Sequence, residues 1–168
     1  MDVWVRSEYA GEFAVLSAWV AALLPWSVSF VRALGGGVLV VRFPFFEIQY
    51  QIGLSLGEAV GVFGPLTAFR LQRGTAAAAG YRLWIPGAAV VALALALSVA
   101  YYLRETRLEA SSVDPVRAMG GLLLGGSLVL GGATVLLFTG YPGLTLPVGV
   151  PLTLALAAAL LFADRTPD

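Results

Sequence analysis

Leu83-Trp84-Ile85-Pro86-Gly87-Ala88-Ala89-Val90-Val91-Ala92-Leu93-Ala94-Leu95-Ala96-Leu97-Ser98-Val99-Ala100-Tyr101-Tyr102-Leu103 is the stretch on which the fold turns. No charge interrupts it. Trp84 stands near one end, and Tyr101 and Tyr102 near the other. A helix rises about 1.5 Å per residue, so about 20 apolar residues cross a hydrocarbon core of about 30 Å. Aromatic residues at both ends suit the two membrane interfaces. The run reads as a membrane-spanning helix over 83–103.

Two later segments read the same way. Ala118 to Phe138 follows Asp114-Pro115, an N-cap and first-turn proline that start a helix, giving 115–138. Leu144 to Phe162 is apolar with Pro147 and Pro151 near its start, giving 144–163. Near the N-terminus Ser7 can cap a helix, with Glu8 in the first turn where the helix dipole favours an anion. The apolar stretch from Phe13 to Leu24, before Pro25, then predicts a helix over 7–25. A cleaved signal peptide is the rival reading, but Asp2, Glu8 and Glu12 against Arg6 give the wrong sign.

Between these helices the pattern changes. Ser27 to Val31, a glycine cluster at 35–37, and Val38 to Val41 are followed by Phe46-Glu47-Ile48-Gln49-Tyr50-Gln51-Ile52. Strict alternation marks a half-buried strand, and glycines between β-branched runs mark a hairpin. An open strand edge cannot face lipid. The hairpin at 26–52 is therefore expected outside the hydrocarbon, its apolar face on the helix ends or the headgroups. The alternative is one long bent helix with an irregular loop. Ser55-Leu56-Gly57-Glu58 forms a capping box. It opens a helix over 55–73 whose apolar part, Ala59 to Phe69, is short for a span. The expected fold is thus an all-α membrane protein. It is a bundle of about five transmembrane helices, four if 55–73 does not cross, with a small extramembrane β-hairpin. Arg70, Arg73 and Arg82 place their loop inside. Five spans then put the hairpin and the C-terminus outside.

Composition agrees and narrows the chemistry. The chain of 168 residues is 59 % hydrophobic and 12 % charged, about half the charge of a soluble domain. All ten basic residues are arginine, and ten acids balance them. With no Lys, His or Cys there is no Schiff base, imidazole base, thiolate or Cys/His metal site. No block of like charge suggests nucleic acid. Neither a phosphate-binding loop nor a dinucleotide fingerprint is present. The reading is non-enzymatic, with no catalytic, cofactor or metal residues.

Two groups of residues remain as candidates. Gly121 and Gly125 form GxxxG, Gly132 lies a heptad after Gly125, and Ser127 and Gly131 add a second small pair. Small residues let helices approach closely in lipid. Packing within this chain is the plain reading, and a dimer or partner face the sharper one. Among charges, Glu58 caps a helix or carries a proton or ion. Glu8 and Glu12 lie four apart and could meet a cation, Arg6, or Arg42 of the hairpin. The loop Arg104 to Arg117 is a solvated cluster or a docking surface.

The opening Val3-Trp4-Val5-Arg6-Ser7-Glu8-Tyr9-Ala10-Gly11-Glu12, with Leu23-Leu24-Pro25-Trp26, resembles a family of small uncharacterised haloarchaeal multi-pass membrane proteins. The resemblance implies several spans and a plasma-membrane location, and no activity. The functional expectation is a membrane interaction or assembly component, in contact with lipid and with a homo-oligomer or membrane-protein partner. A small transporter or ion-conducting subunit acting as an oligomer is the alternative.

Overall fold

The structure, a computed structural model, describes residues 9–33, 35–53, 59–109 and 113–163. Its elements in order are α1 (Ala10–Leu23), β1 (Ser27–Ala33), β2 (Gly36–Arg42), β3 (Glu47–Ile52), β4 (Val60–Phe63), α2 (Pro65–Leu71), α3 (Ala78–Glu109), α4 (Pro115–Gly140), β5 (Leu144–Leu146) and α5 (Val150–Leu161).

Small side chains decide how the helices meet. α1 buries Ala10, Gly11, Ala14, Ser17, Ala18, Ala21 and Ala22, one face at helical period, and exposes Leu16, Trp19 and Leu23. Gly11 has the Tyr101 ring of α3 against it. α3 and α4 run antiparallel, with Gly87 beside Leu130 and Gly140 against the Ala76 backbone. α5 lies along the first part of α4, from Leu160 at Gly120 to Val150 at Gly131. Asp114 caps α4 through a 2.9 Å bond from the Val116 amide, as the sequence predicts.

The five strands form one antiparallel sheet, ordered β4-β3-β2-β1-β5. β1 and β2 turn at Gly35, whose φ of 83° suits glycine. The ladder puts Ser27, Ser29, Arg42, Glu47, Gln49 and Thr145 on one face, and Phe30, Leu39, Tyr50, Val62, Leu144 and Leu146 on the other. The polar face packs against the N-terminal turns of α3 and the segment after α4. The apolar face points outward, with Val62, Leu144 and Leu146 63 %, 55 % and 49 % exposed.

This corrects the expected architecture. The chain is not an all-α bundle of five transmembrane helices: helices and a five-stranded sheet share it. Among the described residues, two helices, α3 and α4, are long and apolar enough to cross a membrane. The predicted helix 55–73 contains β4, because Val60–Phe63 pairs with β3, and only after Gly64 does Pro65 open a seven-residue helix. Its capping box lies outside the described residues. The predicted helix 144–163 begins as β5, paired to β1 through Ser29 and Thr145, and becomes helical only at Val150. The small hairpin at 26–52 is real but forms the middle of a larger sheet, and its apolar face does not rest on the helix ends. The helices predicted at 83–103 and 115–138 fall within α3 and α4, and α3 carries a non-helical residue at Arg104.

Two glycines give a direct check. A Cβ at Gly140 would strike the Ala76 carbonyl, whereas at Gly121 it meets nothing within 4 Å. Gly140→Ala should cost about 1–3 kcal/mol. Gly121→Ala, inside a helix, should be neutral or gain up to about 1 kcal/mol. Thermal unfolding of the two variants should separate them in this order.

Candidate functional site

β2 ends on Arg42 and β3 begins on Glu47, and the turn between them closes through the Phe43 amide on the Phe46 carbonyl. Register places the two charges directly opposite each other. Arg42 Nε lies 3.2 Å from Glu47 Oε2, and both side chains are 0 % exposed. Burying such ions costs several kcal/mol each unless further groups satisfy them.

Those groups come from β1, β3, β5, α3 and the residue that follows α4. Arg42 donates to Ser29 Oγ of β1 at 2.6 Å, and Ser29 shares a 2.7 Å hydrogen bond with Thr145 of β5. It also donates to the Tyr81 hydroxyl of α3 at 2.8 Å. Its guanidinium lies 5.1 Å from the centre of the Tyr81 ring and 5.0 Å from that of Tyr141, a cation–π arrangement. Gln49 donates to Glu47 Oε1 at 2.6 Å. Nε and Oε2 meet as charges and make no hydrogen bond of their own. Burial pushes the Glu47 carboxyl up, and the Arg42 charge beside it pulls it back. Burial also pushes the Tyr141 hydroxyl up, so its ring stays neutral.

Two tryptophans complete the junction. Trp84 donates to the Pro44 carbonyl at 2.8 Å and Trp26 to the Phe43 carbonyl at 3.2 Å, so the turn is held from α3 and from the end of α1. Their rings meet at 5.9 Å. The arrangement is a clasp between sheet and helices: each charge is engaged by its opposite and by neighbouring donors or acceptors.

The residues singled out from sequence lie elsewhere. Arg6, Glu8 and Glu58 fall outside the described residues. Glu12 is exposed in the first turn of α1, and Arg42 is spent on Glu47 rather than on it. On α4, Ser127 donates to Thr153 of α5 at 2.7 Å, Gly131 faces Val150 and Gly132 faces Leu83. Gly125 only just reaches Val90, at 4.0 Å, and Gly121 faces open space. Sequence reasoning missed the Arg42–Glu47 pair, although opposite charges bracketing Phe43-Pro44-Phe45-Phe46 were a usable sign of a hairpin turn.

Fold and site define a protein with a long antiparallel helix pair and a sheet clasped to it by a buried ion pair. The chain belongs to a family of unknown function (DUF7549), whose model matches residues 3–165. No curated protein matches it.

Arg42→Met leaves Glu47 buried and unpaired and should cost about 3–5 kcal/mol. Arg42→Met combined with Glu47→Leu should recover most of that loss. Unfolding of the single and double variants in mild detergent tests this. A double variant no better than the single would mean that the charges are not coupled.

Proposed function

We propose that this protein is a non-enzymatic integral membrane component that works by interaction and assembly, anchored through α3 and α4. The observation that carries this is where the apolar surface lies. The most apolar stretches of α3 and α4 have mean hydropathies of 2.2 and 2.0, yet only 33 % and 39 % of them is buried. The core helix of a soluble protein would be mostly covered. Here Leu93, Val99, Leu128 and Val135 point outward while alanine and glycine fill the contacts, the arrangement that lipid favours. Arginine-only basic usage fits a haloarchaeal plasma membrane as the setting.

Assembly is supported by α4. Gly121 meets nothing inside the chain and Gly125 only the edge of Val90, so the Gly121 end of the GxxxG face is available to a second helix. That helix belongs to another copy or to a membrane-protein partner.

Two measurements test the proposal. The expressed chain should stay with membranes through alkaline carbonate and leave them only with detergent. Recovery in the wash would end the membrane reading. Gly121→Leu should leave stability within about 0.5 kcal/mol of the parent, because the site is open. It should weaken association in detergent, read by light scattering. Unchanged association would remove the GxxxG face from the account.

A further inference from the structure

Two of the helices are too short for the layer that the other two define. α1 has 14 residues and α5 has 12, rises of about 21 and 18 Å, against a hydrocarbon core of about 30 Å. Their contacts fix where they stop. α1 starts with Gly11 at Tyr101 of α3 and ends with Ala22 in the cluster of Trp84 and Ala88. α5 reaches from Gly120 of α4 only to Gly131. Beyond Ala88 the uncharged run of α3 continues five residues to Leu83, about 7 Å, and beyond Gly131 α4 stays apolar to Phe138, about 10 Å.

The sheet occupies that remaining height. Its Pro44 carbonyl takes the Trp84 hydrogen bond, Arg42 reaches Tyr81, and Thr145 stands beside Thr134 and Phe138. Its polarity is inverted relative to a sheet in water, with ions and amides turned to the helices and apolar side chains turned out. Lipid-facing strands of membrane barrels have this polarity. The outward face continues that of the short helices: Leu23 just before β1, and Leu146 and Val148 just before α5, are exposed. Tyr50 lies further along its strand, with Arg32 near the hairpin tip, residue types that settle at the headgroup level. The edge strands, β4 and β5, have four and three residues, so little open backbone is presented.

We infer that the outward face of the sheet is a lipid-contact surface. It lies at the boundary of acyl chains and headgroups and completes the wall that α1 and α5 leave short. This rests on the membrane reading above, and the test separates the two. The chain has no cysteine, so Val62→Cys and Leu146→Cys, at opposite edges of the sheet, each carry one fluorophore. Leu93→Cys, exposed on α3 and away from the glycine face of α4, is the reference. Each labelled protein is placed in phosphatidylcholine vesicles and quenched by a nitroxide on the upper acyl chain or by a water-soluble nitroxide. The expected result is that the labels at 62 and 146 are quenched by the lipid nitroxide to about the extent of that at 93, and little by the aqueous one. Aqueous quenching at 62 and 146, with lipid quenching at 93, overturns the inference and leaves the membrane anchor standing. Protection from both quenchers at 62 and 146, with lipid quenching at 93, also overturns it, since a second copy or another protein then covers the face. Aqueous quenching at 93 overturns the anchor and the inference together.

Discussion

The contact between Arg42 and Glu47 is the constraint on which the rest of the structure depends. Two opposite charges without solvent must hold each other and must recruit neighbours for what each leaves unsatisfied. Ser29, Thr145, Gln49, Tyr81 and Tyr141 are those neighbours. Because strand side chains alternate, fixing Arg42 inward fixes the phase of the whole ladder. Every residue in register with it turns to the helices, and every residue out of phase turns away. The outward apolar face is thus the geometric consequence of a buried polar one.

A second constraint comes from size. Where alanine and glycine line the helix faces, backbones approach closely and the larger side chains have only the outside to occupy. α1 shows this in one turn after another, with Ala14 and Ala18 inside and Leu16 and Trp19 outside. Such a surface is costly in water and natural in lipid. The sheet and the helices therefore obey one rule, small or polar inward and large apolar outward, although their periodicities differ.

Much of this is legible in the sequence, for identifiable reasons. The runs within α3 and α4 are uninterrupted by charge, and Asp114-Pro115 marks a helix start by its chemistry. The three longer strands announce themselves through alternation and the glycines between them. What is hidden is hidden physically. Alternation reveals two faces but not which one turns inward, and the usual expectation for water gives the wrong phase here. β4 is four residues between a capping-box sequence and Gly64-Pro65, so its apolar content reads as part of a helix. β5 is three residues at the head of a long apolar run, and its pairing depends on Ser29, 116 positions away. The glycines of α4 were visible as a group, yet only the structure separates those that touch α3 or α5 from Gly121, which touches nothing.

The central claim is that sheet and helix pair form one cooperative unit held by buried charge. Hydrogen–deuterium exchange of the full chain in phosphatidylcholine vesicles tests it most directly. The account predicts that the amides of β1 and β2 are protected to a degree comparable with those of α3 and α4, and open with them. Fast exchange through β1 and β2 while α3 and α4 remain protected would contradict it, because the sheet would then open without the helices.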